Sequence, residues 1–356
     1  MDTKEQEKFI GTVDLSVVEA MQKIDSTAKG IIFVVDNKRK LIGSLTDGDV
    51  RRYIIRTGGI VGTAGQMMHS CVRYIKKGYE NEADKLMRES SIHVVPVINE
   101  DHQIVNIITD SGCNTAYDRE ALSDVPVIVM AGGKGTRLYP FTKILPKPLI
   151  PIGEIPILQR ILNQLNKFGS RKFYITINYK KEIIKAYFKE LNLPYEIAFI
   201  EENIPMGTAG SIQLIKDVFD GPVIVTNCDI LINADFGKLV EYHLNAKNDI
   251  TIVSSLKETK IPYGVIHVEK NGIISSMEEK PSLSHLINTG MYVVNPKHFS
   301  SIPKNQIFHM TDLVSLLLKE GRKVGMYPIS ENAYLDMGQF EEMKRMEERM
   351  NDGYDG

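Results

Sequence analysis

A chain of 356 residues is long for one domain and suggests two or three. Its 43 lysines and arginines nearly cancel its 45 aspartates and glutamates, leaving a formal charge of -2, so no global basic field marks it for nucleic acid or an anionic membrane. Three cysteines, Cys71, Cys113 and Cys228, are odd in number and widely spaced, which argues against a disulfide framework or a thiolate zinc site. The stretch from Met1 to Lys8 lacks the apolar core of a signal peptide and no apolar run approaches ~18 residues, so a soluble cytoplasmic protein is expected.

The first hundred or so residues hold an internal repeat. Ala20 to Asp47 aligns without gaps on Ala83 to Asp110, which lays Val34-Val35-Asp36 over Val97-Ile98-Asn99 and Leu45-Thr46-Asp47 over Ile108-Thr109-Asp110. Each copy opens on helical spacing, seen in the first as Val17, Ala20, Met21 and Ile24. It continues as two β-branched strands around a charged turn, Asn37-Lys38-Arg39-Lys40 or Glu100-Asp101-His102-Gln103. The pair resembles tandem CBS domains, which are regulatory modules. The resemblance implies an adenine nucleotide bound between the copies through Thr46 and Asp49 of Thr46-Asp47-Gly48-Asp49. In the second copy, Thr109-Asp110-Ser111-Gly112 has a glycine where the second aspartate would stand, so at most one such site is expected. A packing or dimerising role is the alternative, and the likeness implies a homo-oligomer, a dimer or larger. Residues 112–124 are polar and aperiodic and read as a linker, dividing a regulatory module at 1–118 from a second domain at 119–356.

That second domain opens on a buried-strand pattern, Val127 to Ala131, followed by Gly132-Gly133-Lys134-Gly135-Thr136-Arg137-Leu138 and then Pro146-Lys147-Pro148. Glycines permit a tight turn and close approach to a ligand, Arg137 can grip phosphate in fork geometry, and Lys147 adds a compact positive charge. The spacing lacks the third glycine of the dinucleotide fingerprint and is not a P-loop. Further on, Ile157, Leu158, Ile161, Leu162 and Leu165 recur at helical spacing up to Gly169. Phe173, Ile175 and Ile177 alternate as a strand, and an apolar strand at 222–226 leads into Asn227-Cys228-Asp229. Alternating strands and helices predict an α/β fold with a mostly parallel central sheet, whose ligands sit beyond the carboxyl ends of the strands.

G-G-x-G-T-R-L followed by P-K-P resembles the signature of the sugar-1-phosphate nucleotidylyltransferases, or sugar-nucleotide pyrophosphorylases. The resemblance implies a Rossmann-like, glycosyltransferase-A-like catalytic domain that joins a nucleoside triphosphate to a sugar 1-phosphate. It assigns Ala131, Gly132, Gly133, Lys134, Gly135, Thr136 and Arg137 to the nucleotide, and Mg²⁺ to Asp229 and Asp336. Asp336 lies in Tyr334-Leu335-Asp336-Met337-Gly338, where Tyr replaces the family's usual Trp. Pro205 to Ser211 resembles the family's second glycine loop, with Gly207 and Thr208 beside the base. Five residues before Gly207 stands Glu202, where uridylyl- and thymidylyltransferases carry Gln. A carboxylate only accepts hydrogen bonds, and guanine offers two adjacent donors, so GTP is expected. Tyr263, Gly264, Glu279 and Lys280, with Asn288 and Thr289, match the sugar-phosphate elements.

No histidine motif accompanies Cys228, so direct in-line displacement is expected, with Arg137, Lys147 and Asp229 carrying catalysis. Phe340, Met343, Met346 and Met350 predict a terminal amphipathic helix, and without hexapeptide repeats neither a β-helix nor acetyltransferase activity is expected. In domain order the chain resembles bacterial guanylyltransferases that make GDP-glucosamine from glucosamine 1-phosphate on the path to legionaminic acid. Mannose-1-phosphate guanylyltransferases and uridylyl- or thymidylyltransferases are the alternatives, as is a CBS nucleotide sensor with a degenerate transferase domain.

Overall fold

The computed structural model describes residues 3–27, 29–110, 118–216, 218–338 and 340–351. They form two compact units, one of residues 1–116, 255–287 and 330–332, the other of residues 117–254, 288–329 and 333–356. Ser111 and Gly112 of the second repeat, and the first half of the expected linker, lie outside the described residues. The linker's described end is anchored. Leu122 is fully buried and donates its N–H to the Phe168 carbonyl at 2.8 Å.

In the first unit each repeat builds a three-stranded sheet, Ile10–Thr12 with Ile31–Val35 and Leu41–Thr46, and Ile75–Lys76 with Val94–Ile98 and Ile104–Thr109. The duplication extends to irregularities of the backbone. A register shift falls between Val34 and Val35 in one copy and between Val97 and Ile98 in the other. Arg39 and His102, at matching positions in the turns, take φ of 60° and 64°. Both turns are closed alike: Asp36 Oδ1 accepts from the N–H groups of Lys38 and Lys40, and Asn99 Oδ1 from those of Asp101 and Gln103. Val35 and Leu41 of one copy share a core with Val94, Ile98 and Ile107 of the other.

In the second unit, β1 (Val127–Met130), β2 (Lys172–Ile177), β3 (Glu196–Glu201), β4 (Val223–Asn227), β5 (Ile250–Lys260), β6 (Ser282–Val294) and β7 (Val324–Ile329) form one sheet. Its order is β3-β2-β1-β4-β6-β5-β7. The pairs from β3 to β4 are parallel, and β6 lies antiparallel to β4. Strand alternation divides β1 between two cores. Val127 and Val129 face the helices Ile157–Asn166, Lys181–Lys189 and Phe236–Asn245, whereas Ile128 and Met130 face Met310–Lys319. Phe173, fully buried on the first side, is one of the larger anchors; truncation to Ala there costs about 3–5 kcal/mol. From β1 the chain steps outward to β2 and β3, then returns to place β4 on the other side of β1. The strand order therefore reverses between β1 and β4, and a crevice opens beyond their carboxyl ends.

The terminal helix forms at Phe340–Asn351, with Met346 fully buried and Met343 against the same core; the side chains of Phe340 and Met350 lie outside the described residues. No helix among the described residues is long and apolar enough to cross a membrane.

Candidate active site

Two loops meet at this crevice. After β1 the chain runs through Ala131, whose N–H is held by the Thr176 carbonyl at 3.0 Å, and into Gly132. Gly133, Lys134, Thr136 and Arg137 are exposed. Gly135 turns the chain with φ of 64°, and a β-carbon there would stand 2.9 Å from Lys147 Cβ and 3.0 Å from Thr142 Cγ2. Only a glycine lets the loop close over the Lys147 stem. Thr142 is fully buried and donates its hydroxyl to the Gly135 carbonyl at 2.8 Å, securing that closure.

Lys147 is buried, and its ammonium pairs with Asp229 Oδ2. Asp229 stands between β4 and a short strand, Ile230–Ile232, which pairs antiparallel with Tyr334–Asp336. The register sets Ile230 opposite Asp336, and Met337 N–H donates to the Asp229 carbonyl at 2.8 Å. Two carboxylates far apart in sequence are thereby made neighbours. Burial, and next the charge of Asp229, push the Asp336 carboxyl up to about 6, against the opposing pull of Lys147 and Arg137. Gly338 leaves room for this group: a β-carbon there would lie 3.1 Å from Asp336 Oδ2 and 3.4 Å from Arg137 Nη1. Tyr334, at the position of the usual tryptophan, is half-buried, and its phenol is pushed up by burial and by Asp336 and Asp229.

The donor chemistry suits a hard divalent cation. Among the described residues no three His, Cys, Asp or Glu side chains gather as a self-sufficient metal site. A pair of mutually repelling carboxylates, short of ligands by themselves, matches Mg²⁺, which binds through one or two carboxylates together with water and substrate phosphate.

Glu202, the residue expected to read the base, is 5% exposed, and its carboxylate lies against Gly132, where a β-carbon would be 2.8 Å from Oε1 and 3.0 Å from Oε2. Burial pushes its carboxyl up, partly offset by Met206 N–H, which donates to Oε2 at a long 3.4 Å, and by Ser211 and Thr176. Glu201, by contrast, is exposed, and Lys181 and Lys185 hold it down to about 2. Gly207 takes φ of 78° with the Phe308 carbonyl 2.6 Å from where a β-carbon would be. Thr208 ties its loop to the helix Met310–Lys319: its N–H donates to His309 Nδ1 at 3.3 Å, and its hydroxyl accepts from Met310 N–H at 3.0 Å.

The residues matched to the sugar phosphate divide between the units. Gly264 pairs with Glu279 in the hairpin of Gly264–Val268 and Ile274–Glu279, and Lys280 N–H donates to the Tyr263 carbonyl at 3.3 Å; these four belong to the first unit. Asn288 and Thr289 belong to the second and lie within strand β6. Asn288 Nδ2 donates to the Tyr292 hydroxyl at 2.8 Å, while the buried Thr289 hydroxyl donates to the Val253 carbonyl at 2.8 Å. Sequence reasoning missed Asn227, whose amide occupies the space beside Gly290. It also missed Asn178, His309 and Thr142, none of which sits in a recognisable motif.

Cys228 is buried, and burial together with neighbouring Asp229 pushes its thiol up to about 12, so it holds no thiolate for nucleophilic attack. In the first unit, Thr46 caps the helix Asp47–Thr57. Its hydroxyl accepts from Asp49 N–H at 3.3 Å, and Asp49 Oδ2 accepts from Thr46 N–H at 2.9 Å and from the Thr46 hydroxyl at 2.6 Å. The two residues expected to hold a nucleotide are thus joined in a capping box.

A nucleotide loop and an acidic pair at the switch point of an α/β sheet define a nucleotide-handling enzyme fold. The nucleotidyl transferase family model matches residues 126–352, most of the chain, and the chain belongs to that family. The CBS domain model matches residues 12–56 and 81–116, the two copies of the repeat. Among curated proteins, the bifunctional protein GlmU of Methanococcus aeolicus is 33% identical over 208 residues, covering 56% of this chain and 48% of its own. The mannose-1-phosphate guanylyltransferase catalytic subunit beta of Drosophila melanogaster is 35% identical over 176 residues, 48% of each chain. The chain thus spans about half the length of the curated relatives it matches. Among solved structures, HddC from Yersinia pseudotuberculosis complexed with GMP-PN is 26% identical with a TM-score of 0.50, covering 64% of this chain and 99% of that one.

Proposed function

We propose that this protein transfers a guanylyl group from GTP to a sugar 1-phosphate, with glucosamine 1-phosphate as acceptor, releasing GDP-glucosamine and pyrophosphate. The observation that carries the guanine reading is the buried Glu202 carboxylate pressed on Gly132, with one long backbone hydrogen bond from Met206. Guanine N1–H and its exocyclic amine supply two adjacent donors to this acceptor-only group, whose bonds from Met206, Ser211 and Thr176 offset burial only in part, and further bonds to the ionised form would reverse the upward push. Uracil, with one donor flanked by acceptors, satisfies it less well.

An oxygen of the sugar phosphate attacks the α-phosphorus of GTP while the bond to pyrophosphate breaks. Arg137 and Lys147, brought to the same crevice by the glycine loop, bind and orient the phosphates and stabilise charge moving onto the leaving group. Asp229 holds the Lys147 ammonium in place. Mg²⁺ held by Asp229 and Asp336 would supply further neutralisation of the triphosphate. In this reading Glu279 accepts from sugar hydroxyls and Lys280 pairs with the sugar's phosphate. The CBS pair binds an adenine nucleotide through Thr46 and Asp49, and the protein works in the cytoplasm as a dimer or larger assembly.

Mannose 1-phosphate is the second acceptor to consider, because mannose-1-phosphate guanylyltransferases are among the similar proteins. The test is pyrophosphate release with Mg²⁺ across four nucleoside triphosphates and the 1-phosphates of glucosamine, N-acetylglucosamine, mannose and glucose, with products weighed by mass spectrometry. Turnover confined to GTP with glucosamine 1-phosphate is expected. Turnover with UTP or dTTP instead would remove the Glu202 argument, and silence throughout would favour a nucleotide sensor.

A further inference from the structure

Three consecutive residues that follow β2, Asn178, Tyr179 and Lys180, touch both sides of the crevice. Asn178 Nδ2 donates to the backbone oxygen of Glu202 at 2.9 Å, alongside a bond of the same length from Glu202 N–H to the Ile177 carbonyl. The Tyr179 hydroxyl donates to the Thr142 carbonyl at 3.2 Å. The Lys180 ammonium donates to the carbonyls of Lys143 and, at 2.7 Å, of Ile144, and lies 5.4 Å from the Tyr179 ring centroid. One turn thus grips the base-side acid and the segment between the glycine loop and Lys147.

Backbone bonds within that segment are short-range, from Lys143 N–H to the Pro140 carbonyl and from the Ile144 and Leu145 N–H groups to the Phe141 carbonyl. Tyr139, Phe141, Ile144 and Leu145 are 41%, 53%, 76% and 38% exposed, so they add little apolar burial, and loops so held open readily. Thr142 is the exception, and its hydroxyl runs to Gly135, which packs on Lys147. A displacement of Tyr179 or Lys180 is therefore transmitted through Thr142 to Lys147, and along the same loop to Arg137. Lys180 also takes φ of 53°, a conformation that a lysine adopts at a cost and a glycine adopts freely. Stability of the turn alone would favour glycine there; the ammonium's two carbonyl partners account for a lysine.

We propose that Asn178, Tyr179 and Lys180 are positioning residues: a brace that holds Arg137 and Lys147 at a fixed setting relative to the base-reading Glu202. The inference rests on the nucleotidyl-transfer reading above. The test compares Lys180→Gly, Lys180→Arg and Tyr179→Phe with the unaltered protein in melting, in steady-state kinetics, and in amide hydrogen exchange across residues 139–146 without ligand. Lys180→Gly should melt at or above the unaltered protein, exchange faster in that segment, and lose about tenfold in kcat/KM for the nucleotide, with KM for the sugar 1-phosphate unchanged. Lys180→Arg should restore most of the loss, and Tyr179→Phe should fall between. Unaltered exchange and nucleotide kcat/KM in Lys180→Gly would overturn the brace. If the unaltered protein transfers no nucleotide, the functional reading fails separately, and the exchange measurement still decides whether the turn holds the loop.

Discussion

Glu202 and Gly132 share a space that admits only one of them in full: a β-carbon on the glycine would lie 2.8 Å from the glutamate's Oε1. The glycine sets how close the acceptor comes to the backbone, and under the proposed guanine reading it takes part in base selection. Gly132→Ala should push the carboxylate aside and lower kcat/KM for GTP by about a hundredfold, the scale of an ångström-sized misplacement. Glu202→Gln, which gains a donor, should move the preference from GTP toward UTP or dTTP by about tenfold to a hundredfold. Competition kinetics with mixed triphosphates reads both; an unchanged preference in Glu202→Gln would remove the glutamate from base selection.

Lys147→Ala and Asp229→Asn should each leave a folded protein with turnover reduced at least about a hundredfold, the size typical of lost electrostatic stabilisation. Asp229→Asn has a second signature. The Asp229 charge helps hold the Asp336 carboxyl up near 6, so its removal should lower that titration, followed by NMR of the carboxyl carbon. If Asp336 holds Mg²⁺ as proposed, its protonation should compete with the metal, and apparent Mg²⁺ affinity should weaken as pH falls through about 6.

His243 is 3% exposed, and burial pushes its imidazole down from 6.5 to about 4; its Nδ1 lies 2.9 Å from Thr251 Oγ1. Its folded value is depressed, so the unfolded chain takes up the proton first as pH falls below 6.5. The stability that the neutral ring contributes is therefore lost between about 6.5 and 4 and changes little below that. His243→Asn should flatten the fall of melting temperature over that window. An equally steep fall would assign the acid lability to other groups.

In the first unit, Thr46→Val removes a hydroxyl that caps the helix Asp47–Thr57 and should cost about 1 kcal/mol in denaturant unfolding. Calorimetry with AMP, ADP and ATP on the full chain tests the other role of the pair. Heat that disappears in Asp49→Ala would show that the capping box also serves a ligand, and absence of heat in the unaltered protein would leave it a cap.

Much of this arrangement is written in local pattern. The gapless alignment of the repeats anticipates even the matched register shifts, because one insertion of backbone, once duplicated, is kept by the same turn chemistry at Asp36 and Asn99. Alternation at Phe173, Ile175 and Ile177 identifies a strand, and all three residues are fully buried. The spacing of Thr46 and Asp49 fits a capping box as well as a ligand motif, so the cap was available to sequence reasoning. What the pattern lacks is anything that depends on strands meeting across the chain. The neighbourhood of Asp229 and Asp336 follows from a three-residue ladder, and the closure of Glu202 on Gly132 from two strand ends in one sheet. Asn178, Tyr179 and Lys180 act through backbone carbonyls, which every residue has, so no residue pattern at the receiving end announces them.

The ladder between Ile230–Ile232 and Tyr334–Asp336 also orders events in time. During synthesis the glycine loop, Lys147 and Asp229 emerge well before the strand that brings the second carboxylate. A chain halted between the two would hold the glycine loop, Lys147 and Asp229 without the second carboxylate. The acidic pair is thus completed only after Tyr334–Asp336 has been made and has paired with Ile230–Ile232.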